Sequence, residues 1–206
     1  DPTPGETELA LRFIQSQEAQ PSVPEDPPVW QYGYGEYDGA AQRLKEFRPL
    51  PHFTGQAWQA GPKVPDEKLG WVMLNAIGGH PGDDAQHAAV RRWTAPADGV
   101  VAIAGTLSHD SDQGDGVRGR IVCSRGGELG SWTARKGKQE TPCERLEIKR
   151  GDTIDFIADC RQTVAHDSFN WSSAIKLLRP GSMARNSGST EWNAKQDFSG
   201  PKEALK

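Results

Sequence analysis

Turn-forming residues recur at short intervals along this chain, and their spacing limits what it can fold into. With 23 glycines and 15 prolines in 206 residues, few segments run long enough for a helix before a breaker intervenes. Proline removes a helical hydrogen bond and glycine carries a high entropy cost in a helix interior, so a helical bundle is excluded. From residue 70 onward the segments between breakers are short, and the ranges 71–77, 89–94, 100–107, 117–123, 130–135, 144–149, 153–159 and 171–178 each read as a strand. Turn signals separate them, among them Ala97-Asp98-Gly99, Arg125-Gly126-Gly127 and Arg150-Gly151-Asp152. Val101, Ile103 and Leu107 alternate with Ala102, Ala104 and Thr106, and Ile154, Phe156 and Ala158 alternate with Asp155, Ile157 and Asp159. That two-residue period belongs to strands with one buried face. Many such strands with no helix between them predict an all-β fold, an antiparallel β-sandwich of jelly-roll type over 29–180.

Two arms flank the predicted sandwich. Residues 1–28 begin with helix formers at 7–14, where Leu9, Phe13 and Ile14 share a face, and continue into an acidic proline spacer at 21–28. From 181 to 206 the chain is polar and weakly patterned, and reads as a second arm. Between 30 and 68 the sequence is aromatic and irregular, with all three tyrosines in Tyr32, Tyr34 and Tyr37, so strands are expected near 30–34 and 43–48, then loop. With 24 basic and 28 acidic side chains the formal charge is −4, which disfavours a nucleic-acid partner. No apolar run approaches the roughly 18 residues of a membrane span, so no membrane insertion is expected. No signal peptide is seen either, and the sequence reads as a mature or excised piece. Cys123, Cys143 and Cys160 fit no zinc or CxxC spacing and read as small apolar side chains.

Catalytic motifs are missing from the sequence. It has no GxSxG elbow, no HExxH and no phosphate-binding GxxxxGK[ST]. Cys160 and His166 lie close together, but nothing marks the thiol as activated. The chain therefore reads as a non-enzyme. Asp110, Asp112 and Asp115 crowd one turn between two strands, and such a turn can supply the oxygens that structural calcium needs. The EF-hand pattern fails, since its fifth position is Gly114 and its twelfth Ile121. A solvated hairpin is the competing reading. His52, His80, His109 and His166 fall in loops without HxH or HxxxH spacing, and a loop histidine bonded to backbone is the ordinary case.

Several segments together resemble a known family. They include Trp30-Gln31-Tyr32-Gly33-Tyr34-Gly35, Pro49-Leu50-Pro51-His52-Phe53-Thr54-Gly55, Leu69-Gly70-Trp71-Val72 and Gly78-Gly79-His80-Pro81-Gly82. Val90-Arg91-Arg92-Trp93-Thr94-Ala95-Pro96, Gly114-Asp115-Gly116-Val117-Arg118 and Gly151-Asp152-Thr153-Ile154-Asp155-Phe156 complete the set. Over about 30–178 the chain resembles a module inserted in the large C-terminal domain of unknown function of planctomycete multidomain proteins that also carry cytochrome c-type domains. The resemblance implies an extracytoplasmic protein linked to polysaccharide use, and a module similar to jelly-roll carbohydrate-binding modules with flanking domains as partners. No haem is expected, because CxxCH is absent.

Binding a polysaccharide requires aromatic faces for sugar C–H surfaces and a few polar groups for hydroxyls. Seven tryptophans are available. Trp71 and Trp171 begin strands in the inward phase and are expected in the core, while Trp93 fits either place. Trp132 follows a glycine-rich turn, and Arg118 and Arg120 on the preceding strand point away from Val117 and Ile121. An exposed indole beside two guanidiniums would suit an acidic polysaccharide. Trp58, Tyr34 and His80 are the next candidates. The alternative is a structural or protein-interaction insert that braces neighbouring domains and binds no sugar.

Overall fold

The computed structural model describes residues 28–180 and 190–201, and the helical arm expected over 7–14 lies outside them. The chain enters through β1 (Trp30–Gly35) and makes a short excursion through β2 (Tyr37–Asp38), β3 (Arg43–Leu44) and β4 (Arg48–Pro49). Next come β5 (His52–Phe53), β6 (Ala57–Gln59), β7 (Met73–Asn75) and β8 (Gly78–His80). A 3₁₀ turn at Ala85–His87 leads into the long strands β9 (Ala88–Thr94), β10 (Gly99–His109), β11 (Val117–Cys123) and β12 (Gly127–Ala134). The remainder is β13 (Gly137–Glu140), β14 (Cys143–Ile148), β15 (Thr153–Asp159), β16 (Phe169–Pro180) and β17 (Glu191–Asn193). Among the described residues no helix is long and apolar enough to cross a membrane.

Two antiparallel sheets face each other. The first runs β12-β11-β15-β9-β1-β4, and the second β13-β10-β16-β8-β7-β6-β5, with β14 on β10 and β17 on β16. The connections after β9, β10, β12, β14 and β15 each cross from one sheet to the other. This wrapping is a jelly-roll sandwich, the predicted fold class. Alternation explains the core: Val101, Ile103, Leu107, Val117, Ile121, Ile154, Phe156 and Ala158 all join one cluster between the sheets. Trp171 meets Phe156 edge-on at 5.5 Å, and Trp93 is fully buried.

Arg91 lies in the same interior. Its neighbours in β9 obey the strand period, so it faces inward opposite Tyr32 and Phe156. It is 3% exposed and has no carboxylate partner among the described residues, and its guanidinium donates instead to the carbonyls of Asn75 at 2.7 Å and Trp171 at 3.3 Å. Burial pushes its pKa down to about 10. The bonds tie the first sheet to both β7 and β16.

The outer face of the first sheet is covered as well. Leu44, Tyr37 and Phe47 from the excursion pack on Ala88, Val90, Val122 and Ile157. Close approach is possible because Gly33 has no side chain: a Cβ there would overlap the Arg48 carbonyl oxygen and stand 2.6 Å from the Phe47 ring.

Three departures from the expected elements have local causes. The segment 71–77 is not one strand, because the Asn75 side chain accepts from the Ile77 and Gly78 amides, both at 2.9 Å, and turns the chain into the β7–β8 hairpin. Trp71 is thereby left outside the strand and 43% exposed rather than in the core. The loop expected after Pro49 contains the β5–β6 hairpin, whose turn is held by Thr54 Oγ1 accepting from the Ala57 amide at 3.1 Å. Residues assigned to a polar arm return as β17, where Trp192 packs edge-on against Trp93 at 5.1 Å.

Gly33→Ala is expected to cost about 2–3 kcal/mol of stability by overpacking. Gly39→Ala, whose nearest neighbour would be 3.9 Å away, should stay within about 0.5 kcal/mol of the parent. Urea unfolding midpoints of the two variants check both outcomes.

Candidate functional site

The arginines expected to flank an exposed indole are committed to carboxylates. Arg118 binds Asp159 through Nε at 3.1 Å and Nη2 at 3.2 Å. Arg120 is 7% exposed, pairs with Asp159 and lies 3.4 Å from Glu128. Its guanidinium also sits 4.2 Å from the Tyr37 ring centroid, and the Tyr37 hydroxyl donates to Glu128 at 2.5 Å. Burial, followed by that bond, pushes the Tyr37 pKa up to about 12.

Trp132 is on the other side of the sheet. In register it opposes Gly119, whose missing Cβ would point at Leu107 and Trp171 in the core. Arg118 and Arg120 therefore face outward while Trp132 is partly buried against the main core. The structure does not bring these three residues into one site.

The remaining candidates separate. Tyr34 packs at the sandwich edge, 5.7 Å from the His87 ring. His80 is half-buried beside the exposed Trp71 at 5.9 Å, with Nδ1 2.6 Å from the Pro81 carbonyl, and burial lowers its pKa. Asp112 is exposed, 4.0 Å from Lys136. Asp110 lines a small cavity with Ser111 and His166. The Asp115 carboxylate accepts from the amides of Gln162 and Thr163, both at 3.2 Å, and from Thr163 Oγ1 at 2.5 Å. Burial works against its charge, but these bonds prevail and hold its pKa below the usual range. Among the described residues no three metal-ligating side chains gather at one point. Cys160 is buried, and burial pushes its thiol up to about 11, far from an activated nucleophile.

Of the candidate residues, Trp58 lines a concave site. A groove of about 330 Å³ is formed by Pro28, Trp30, Gln31, Tyr32, Pro49, Leu50, Trp58 and the segment 199–201. β1 of the first sheet supplies Trp30, Gln31 and Tyr32, and β6 of the second supplies Trp58, so the groove lies where the two sheets part. Tyr32 and Trp58 stack with ring centroids 6.1 Å apart and planes 15° from parallel. Phe198 closes edge-on to Tyr32 at 4.8 Å, and Phe53 supports Trp58 from 5.2 Å. Burial pushes the Tyr32 hydroxyl up to about 12, against the opposing charge of Arg91. Two indoles hold the wall: Trp58 Nε1 donates to the Ser199 carbonyl at 2.8 Å, and Trp30 Nε1 to Asp197 at 3.3 Å. None of the described lining residues is charged. The site thus offers the partly exposed ring of Trp58, the edges of Trp30 and Tyr32, which are 6% and 5% exposed, one amide side chain, the Ser199 hydroxyl and backbone polar groups.

Sequence reasoning missed Trp30, Gln31, Tyr32 and Ser199 as partners of Trp58. The clustering of aromatics at 30–37 was a signal, but nothing local linked it to 199.

If the arginines serve the fold, Asp159→Ala should cost about 3–5 kcal/mol by stranding buried Arg120 without its main partner. Arg118→Ala, which removes a half-exposed arginine and leaves Asp159 paired with Arg120, should cost less, about 1 kcal/mol. Thermal unfolding of the two variants distinguishes these outcomes.

No family model and no curated protein sequence matches the chain. Solved structures are similar only distantly. A family 35 carbohydrate-binding module from an environmental isolate is 12% identical with a TM-score of 0.33, over 82% of this chain and 93% of the module. Rabbit GITRL is 14% identical with a TM-score of 0.33, over 50% of this chain and 80% of its own. The PA14 sugar-binding domain from an RTX adhesin is 8% identical with a TM-score of 0.29, over 46% of this chain and 49% of that domain. Likenesses this remote carry no inference about a site or a ligand.

Proposed function

We propose that the protein is a non-catalytic glycan-binding module and that the groove between β1 and β6 is its binding face. The observation that carries this reading is the stacked Tyr32–Trp58 pair lining a concave surface, with Trp30 beside it. Aromatic rings with a few polar groups suit the apolar C–H faces and the hydroxyls of a sugar. At about 330 Å³ the groove is at the small end of ligand sites, which suits a glycan end more than a long run of residues. Its uncharged lining favours a neutral sugar. An acidic polysaccharide would need free cations, and Arg118 and Arg120 are already neutralised by Asp159 and Glu128. The module would serve a larger exported protein, in keeping with the family resemblance of 30–178.

A second reading has its own observation. Pro28 and Pro201 both line the groove, so residues 28 and 201 lie on one face, where a neighbouring domain could dock instead of a sugar.

Affinity gel electrophoresis with neutral, uronic and sulfated polysaccharides tests the proposal. Retention by a neutral polysaccharide is expected, and Trp58→Ala should weaken it about 10- to 100-fold while Trp58→Phe retains part of it. Arg118→Ala should leave retention unchanged. A folded wild type retained by no polysaccharide overturns the glycan reading in favour of docking.

A further inference from the structure

Asp167, in the loop between β15 and β16, has no exposed surface, and neither carboxylate oxygen has a hydrogen-bond partner among the described residues. Buried carboxylates are ordinarily paired, hydrogen-bonded or bound to a metal. What faces this one is the loop between β10 and β11. A Cβ on Gly114, where φ is +74°, would stand 3.7 Å from Asp167 Oδ1 and 2.5 Å from the carbonyl oxygen of Ala165. Both oxygens therefore face the Gly114 backbone at close range, an approach that any side chain there would block. Asp115, the next residue after Gly114, brings a second carboxylate to this loop and is held to the 160–168 loop by the amides of Gln162 and Thr163. The nearby cation is Arg161, and its guanidinium is already bound to Asp115, through the backbone oxygen and at 3.8 Å from Oδ2. Asp167 and the Ala165 carbonyl thus flank the Gly114 backbone, the Asp115 carboxylate follows in the same loop, and Asp167 itself has no cation bonded to it among the described residues.

We propose that Asp167, the Ala165 carbonyl and Asp115 hold a calcium ion that clamps the 110–116 loop to the 160–168 loop. The donors are all hard oxygens, the set calcium prefers over softer metals. Asp115 keeps lone pairs beyond those used by Thr163 and Gln162. An adjoining cavity of about 220 Å³, lined by Asp110, Ser111, His166 and Ser168, opens to solvent and supplies water for the rest of the shell. The site is centred on Asp167 and excludes Asp112, which points to Lys136. It is separate from the aromatic groove, so it stands or falls independently of the glycan reading.

Calcium chloride added to chelator-treated protein provides the test. Isothermal titration calorimetry should show one site, and calcium at about 100 times its Kd should raise the Tm by about 5–10 °C. Asp167→Asn, which keeps the shape but removes the charge, should abolish both signals, whereas Asp112→Ala should keep them. If Asp167→Asn does not fold, Asp115→Asn replaces it and should lose most of the binding heat. Absence of heat and of any Tm change in the wild type at millimolar calcium overturns the proposal. An undiminished response in folded Asp167→Asn does so too.

Discussion

A positive charge sealed between two sheets fixes the geometry of this sandwich. Arg91 is buried with no carboxylate partner among the described residues, so its charge depends on the hydrogen bonds that the carbonyls of Asn75 and Trp171 accept from it. Both acceptors are on the second sheet. β7 is therefore held at one position relative to β9, and β6, which pairs Ala57 with Asn75, follows it. Since β6 carries Trp58, the distance between Trp58 and Tyr32 across the groove depends on an arginine that is not part of the groove. Asn75 has two tasks here, giving its carbonyl to Arg91 and its side chain to the turn that starts β8.

The outer face of the first sheet follows a different logic. Apolar side chains of the excursion cover one part, and guanidiniums sandwiched between carboxylates and aromatic rings cover the rest. Arg92 is bidentate to Asp155 at 2.7 and 2.8 Å while resting 4.3 Å from the Phe47 ring centroid. Arg120 repeats the arrangement with Asp159 and Tyr37. Alternating charge on a strand usually indicates a solvated face. Here it is a second, partly polar interior, roofed by residues 36–48.

Strand identity was legible in the sequence because it is local: the polarity of Ile154 to Asp159 alternates within one segment, and the glycine turns mark where segments stop. Relations between strands were not legible. Whether Trp132 shares a face with Arg118 depends on the register of β12 against β11, and that register shifts at an irregularity between Ile121 and Val122. A one-residue shift reverses the face, and no residue type announces it. Trp71 had the right phase for burial, but the strand starts two residues later. The groove was half-legible: the aromatic run at 30–37 stood out, whereas its wall comes from 197–201. Asp167 gave no signal at all, since a single aspartate in a polar loop becomes unusual only when the fold removes its water.

The wall of the groove has a bearing on how the protein comes into being. The bond from Trp30 to Asp197 spans 167 positions, and that from Trp58 to Ser199 spans 141. Contacts this distant in sequence are slow to form, and during synthesis they cannot form until the far partner has left the ribosome. Until residues 197–201 have emerged, Tyr32 and Trp58 lack the cover that Phe198 and Ser199 give them. Among the described residues the groove is thus completed last, and a nascent sandwich already folded elsewhere would still lack its wall.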